Sequence, residues 1–231
     1  MRPRSARRSL RTVWPADPDY LFKFIEQQTQ GNILFEVCEH PGSTIDHLIK
    51  LPGYFSMQTV VLTTYELITI VEKVHKEKFL IRSICPENVA IGLGEKAKNF
   101  HILDLFYFKK YWDSRTNQHI PCIEGKPLLK DPLYASTHEH LGIEASRRDD
   151  LESLAYLALF MFVGTLPWME NLQIDNPKEN YPIIMSKKLN ISPENLFVGF
   201  PCTFSSWQTS FQCFSNMPRA FASTRYLTMS G

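Results

Sequence analysis

A chain of 231 residues can form one large domain or two small ones, and 44% hydrophobic against 21% charged residues suits a globular core. Its 25 Lys and Arg balance 24 Asp and Glu; the formal net charge of +1 provides no long-range field to draw it onto nucleic acid or a membrane surface. The five cysteines (Cys38, Cys85, Cys122, Cys202 and Cys213) are scattered and form no C-x-x-C pair, which argues against a disulfide framework or zinc site and for a reducing compartment.

Met1 to Trp14 carries Arg2, Arg4, Arg7, Arg8 and Arg11 with no acid. That composition fits a disordered basic tail, with a mitochondrial presequence as the alternative. No apolar stretch follows to serve as a secretory signal, so the sequon at Asn190, Ile191 and Ser192 is expected to be idle. Ile33 to Cys38 reads as a short buried strand, closed by the turn formers Pro41, Gly42 and Ser43. Thr44 opens a short helical pattern with Ile45, Leu48 and Ile49 on one side. Ser56 then N-caps a long helix running to about Lys76. The helical period assigns its apolar face to Met57, Val60, Val61, Tyr65, Ile68, Val71 and Val74. Val89 to Ile91 and Phe100 to Leu103, separated by Gly92, Leu93, Gly94 and a charged turn, predict a hairpin.

From Asp104 to about His140 there is no periodicity, and an irregular segment of that length is functional or peripheral. Asp149 or Asp150 is the predicted cap of a helix from Leu151 to Val163, apolar on every side and hence central, ended by Gly164 and Pro167. The longest apolar run, Leu154 to Val163, falls well short of the roughly 18–20 residues of a membrane span. Beyond Trp168 the pattern weakens to short helices at Ser192 to Leu196 and Ser205 to Phe214, with an irregular tail over 215–231. Pattern alone predicts a mainly α fold with a small β-hairpin. It predicts no function.

Four strings carry more. These are the run from Leu141 through Ser146, Arg147, Arg148, Asp149 and Asp150 to Leu154; Gln118 to Pro121; Tyr134, Ala135 and Ser136; and Leu166, Pro167 and Trp168. Together they resemble the casein kinase I family of protein kinases closely. The vaccinia-related kinases share the Ser-Arg-Arg and Leu-Pro-Trp elements but match the loop less well. The resemblance covers roughly 32–214. It implies a protein kinase-like C-terminal lobe lacking most of the N-terminal β-lobe, with 1–31 as tail. The hinge would be at about Glu36 to Glu39, and the gatekeeper would be Phe35. The vestigial nucleotide cleft would take Phe35, Glu36, Val37 and Ala90, where the family has a bulky aliphatic in place of Ala90. Ile81 to Asn88 would be the catalytic loop, and Asp150 the acid that braces it.

The same resemblance identifies what is missing. The family loop reads H-R-D-x-K-P-x-N, whereas this chain has Ser83 in place of the base and Cys85 in place of the lysine. A neutral hydroxyl cannot hold the substrate proton, and loss of a general base costs about 10²–10⁴ in rate. Cys85 brings no positive charge to a phosphoryl group in transit. The metal positions Asn88 and Asp104 survive as vestiges, each with a bland alternative: a loop hydrogen-bonder and a turn residue. Leu105-Phe106 replaces the Phe-Gly that follows the metal-binding acid. Ile81 and Leu105 replace a stacked histidine and phenylalanine while keeping apolar volume. About thirty residues before Asn32 cannot build a five-stranded lobe, and no glycine-rich loop or Val-Ala-Ile-Lys strand is found there.

Arg82 either receives an anionic group or bonds loop carbonyls. Leu133 stands where the family tends to carry an anion-site arginine. His138, Glu139 and His140 lack the spacing of a helical zinc motif. Cys85 reads as an inert thiol, and the pairs Lys109-Lys110 and Lys187-Lys188 as solvated surface. Phe197, Phe200, Phe204, Trp207, Phe211 and Phe214 read as core.

The expectation is a catalytically inactive pseudokinase of the cytoplasm or nucleus acting through protein–protein interaction. Its partner would be an intact kinase relative or its substrate, engaged on an exposed apolar hinge and cleft floor, with no nucleic acid, membrane or cofactor involved. Two alternatives stand beside it. One is an atypical serine/threonine kinase using ATP and Mg through Asp104 and Asn88. The other is a truncated product of a longer kinase gene.

Overall fold

The computed structural model describes residues 20–21, 24–30, 33–50, 54–128, 130–170, 172 and 179–196, with the backbone alone for 24–30, 33–38 and 193–194. The basic tail, the aromatic series from Phe197, the Ser205 to Phe214 helix and the 215–231 tail lie outside the described residues. Helices are combined with four separate two-stranded antiparallel sheets rather than one hairpin. The chain order is β1 (Phe24–Gln30), β2 (Ile33–Cys38), α1 (Ile45–Ile49), α2 (Met57–Lys76), β3 (Phe79–Leu80), β4 (Val89–Ile91) and β5 (Phe100–Ile102). It continues with β6 (Lys109–Lys110), β7 (Trp112–Asp113), β8 (Gln118–His119), α3 (Thr137–His140), α4 (Arg147–Val163), α5 (Asn180–Asn190) and α6 (Pro193–Leu196). Among the described residues no helix is long and apolar enough to cross a membrane.

Several expectations hold to the residue. The Ser56 side chain accepts from Thr59 N at 3.2 Å and starts α2, and Thr44 does the same for α1 through His47 N. β4 and β5 pair with Val89 opposite Ile102, as the hairpin pattern requires. The strand β2 is present, but its partner β1 lies in the stretch assigned to the tail, where polar Gln27, Gln28 and Gln30 hide any alternation.

The expected apolar face of α2 holds at Val60, Val71 and Val74, with Ile68 packed against the core, but not at Val61 and Tyr65. Val61 and Tyr65 are exposed, at 45% and 67%, whereas Thr63 and Thr64 are buried beside Val60, Leu67 and Val71. Threonine fills an apolar site in a helix because its methyl packs, and a hydropathy stripe overlooks it. The irregular stretch after Asp104 contains three two-residue strands and α3, elements too short to show a period. α4 starts four residues before the expected Leu151. Its N-cap is Ser146, while Asp149 sits at N3 and reaches back to Ser146 N at 2.7 Å, forming a capping box. Gly164 closes α4 at φ +81°, a left-handed conformation that favours glycine.

Among the described residues three apolar clusters form the core, a small one around Leu80, Tyr111 and Ala145 and two larger ones that α4 serves. Leu154, Leu157, Ala158 and Met161 face a cluster with α2, Ile81, Ile84, Val89 and Ile102. Tyr156 and Leu159 face a second, with Cys85, Tyr134, Leu166, Trp168 and Ile184. Lys188, expected in solvent, is 3% exposed. Its ammonium donates to Pro132 O at 2.8 Å and Ala135 O at 2.6 Å and lies over the rings of Tyr156 and Trp168. α5 is thereby tied to the loop before α3. Lys109 is likewise ion-paired, to Glu144 at 2.8 Å.

Candidate functional site

The loop 81–88 is apolar at its root and polar at its tip. Ile81 and Ile84 enter the first cluster and Cys85 the second, so the loop is stitched into both halves of the core. Arg82 adopts φ +64°, an unfavourable conformation for a non-glycine residue. Asp150 holds it there. Its carboxylate accepts from Ile81 N at 2.9 Å and Arg82 N at 2.7 Å, and lies 2.8 Å from His75 Nε2. Burial alone would raise the Asp150 carboxyl, but the His75 hydrogen bond and charge and the two backbone N–H groups outweigh it and hold the carboxyl low. Tyr111 donates to the backbone carbonyl of His75 at 2.8 Å, and its ring meets the imidazole edge-on at 6.2 Å. Asp150 thus ties the start of the 81–88 loop to α4.

Ser83, Cys85, Asn88 and Asp104 line one cavity of about 230 Å³, together with Glu87, Tyr107, Lys130, Asp131 and Tyr134. Ser83 Oγ lies 3.4 Å from Asp104 O, and Asn88 Nδ2 donates to Ser83 O at 3.3 Å. Asp104 caps a single 3₁₀ turn over Leu105–Tyr107 by accepting from Phe106 N at 2.8 Å. Both polar side chains therefore already hold loop backbone. Burial, reinforced by Glu87, pushes the Cys85 thiol far up, so it stays protonated at neutral pH. Phe35, Glu36 and Val37 lie on β2, where the backbone alone is described. Ala90 is fully buried between Thr44 and His101 and does not line the cavity.

Arg82 lies on the other side of Tyr107, in a small pocket with Lys126, Lys130, Glu139 and Glu144. Sequence reasoning missed Lys130, Asp131 and Tyr107 because they fall in the aperiodic stretch. Tyr134 was visible as part of a family string but not as a site residue.

Three carboxylates and one ammonium face this cavity. The ammonium of Lys130 is 2.7 Å from Glu139, which leaves it little charge to offer. Among the described residues the lining offers acids that suit a divalent ion but no unpaired cation for a phosphate, and its volume is below the roughly 300–1,000 Å³ of cofactor sites. The sequence triplet His138, Glu139 and His140 diverges, with His140 Nε2 turned to Pro132 O and Glu139 to Lys130. His138 instead converges with Asp149 and Glu152, all three ligand atoms lying within 4.8 Å. Those carboxylates are hydrogen-bonded already, Asp149 to Ser136 and Ser146 and Glu152 to Thr137 N and Tyr156. No protein-family model matches the chain.

Proposed function

We propose that this chain is a casein kinase I-like C-terminal lobe that has lost phosphoryl transfer and acts by binding other proteins. The observation that carries the reading is the lining of the 230 Å³ cavity: the positions of base and phosphate-steadying lysine hold Ser83 and Cys85, and the acids present are unopposed by a free cation. Phosphoryl transfer depends on neutralising charge that develops on the phosphate oxygens. A site of net negative charge works against it. The loop itself is firmly braced, which suits a binding surface held rigid more than a segment that must open and close. Free Cys85 and Cys122 fit a reducing compartment, cytoplasm or nucleus.

The test is direct. Purified chain with ATP and magnesium is expected to show no metal-dependent thermal shift and no label transfer to casein. Turnover abolished by Asp104→Asn would establish the competing reading, an atypical kinase working through Asp104 and Asn88, and end this one.

A further inference from the structure

The acidic cavity beside the 81–88 loop is chemically suited to a cationic group. Glu87, Asp104 and Asp131 surround it, and the single lining ammonium is engaged by Glu139. A second feature points the same way. Tyr134 is 3% exposed and lines the cavity, yet no described residue hydrogen-bonds its hydroxyl; its ring is held edge-on by Phe160. A phenol on the cavity lining with no hydrogen bond to a described residue can accept one from a bound group. Burial, then the charges of Glu87 and Asp131, push that phenol up, so it remains neutral and offers a lone pair to an incoming N–H. Asp131 has one oxygen fixed by Leu133 N at 2.9 Å; burial, with Glu87 adding to it, raises its carboxyl, a penalty that a bound cation relieves.

From these we infer that the cleft receives a single basic side chain, a guanidinium or ammonium, presented by a partner protein. A volume of about 230 Å³ holds one long side chain and little more. The acids supply charge-assisted acceptors, Tyr134 supplies a neutral one, and the low-dielectric walls of the cleft concentrate the field. The inference rests on the reading of the chain as a non-catalytic binding lobe and gives that lobe's partner a chemical character.

The experiment titrates the isotope-labelled full chain with N-acetyl-arginine amide and, separately, with the neutral isostere N-acetyl-citrulline amide, following backbone amide resonances. Saturable shifts confined to residues 83–88, 104–107 and 130–134 are expected with arginine and not with citrulline. Asp131→Asn and Tyr134→Phe should each weaken the response, the former about tenfold, as loss of a hydrogen bond to charge implies. The Tyr134→Phe change removes one oxygen and serves as the second variant if Asp131→Asn does not fold. Equal shifts with citrulline, no shifts in the cleft, or displacement of arginine by millimolar magnesium ion would each overturn the assignment. A parallel titration with ATP and magnesium separates the two ideas. Silence there with no arginine response sinks only this inference, whereas nucleotide turnover sinks the functional reading beneath it.

Discussion

Replacing Asp150 by alanine strips the partners from two backbone N–H groups and from His75 at once, in a site that is 1% exposed. Breaking a buried, fully bonded charge in this way costs about 3–5 kcal/mol, read in urea unfolding as a lower midpoint at unchanged slope. The residue scale also sets the pH response. Burial, then the charge of Lys188, depress His140 from 6.5 to about 4. Between those values the unfolded chain binds more protons than the folded one, so the contribution is complete above pH 6.5 and is lost as pH falls through 4. Lys188, lowered by burial from 10.5 to about 7, has the same sign in a higher window: stability rises as pH climbs from 7 towards 10.5. His140→Gln should flatten the acidic arm of the stability curve, and Lys188→Met the alkaline arm, both read from urea midpoints against pH.

At the scale of elements, α2 gives the sharpest contrast. Val61, Leu62 and Tyr65 project outward, so Val61→Lys should change stability by no more than about 0.5 kcal/mol. Leu67→Ala, on the buried side at 2% exposure, should cost about 2–5 kcal/mol. The result would be inverted for Val61 if the periodicity in the sequence had placed the face correctly. What the sequence made legible were elements whose signal is local. Ser56 and Thr44 are caps that work through the next turn, and Val89 to Ile91 pairs across a short loop. What it hid needs distant partners. β1 is polar and is defined by β2, and Lys188 is buried only because Pro132, Ala135, Tyr156 and Trp168 come to it from elsewhere in the chain. At the candidate site, Ser83, Cys85, Asn88 and Asp104 were picked out by the resemblance to a kinase catalytic loop, and they meet in one cavity. Asp131 and Lys130 were not, because nothing short-range marks them.

On the scale of the molecule, α4 joins the two larger apolar clusters, contributing Leu157 to one and Leu159 to the other. Leu157, with no exposed surface, should cost about 2–5 kcal/mol on truncation to alanine. Because its helix serves both clusters, the fluorescence of Trp168 in the second, isolated by replacing Trp14, Trp112 and Trp207 with phenylalanine, should shift its transition together with far-ultraviolet dichroism. Separate transitions by the two probes would show that the clusters unfold independently.

The clip between Asp150 and the amides of Ile81 and Arg82 has a consequence in time as well as in energy. Those two hydrogens hang on a carboxylate borne by the central helix, so they meet solvent deuterium only when that helix releases its grip. They should be among the last amides in the chain to exchange, although Arg82 sits in a loop with a left-handed backbone, a place where exchange is ordinarily fast.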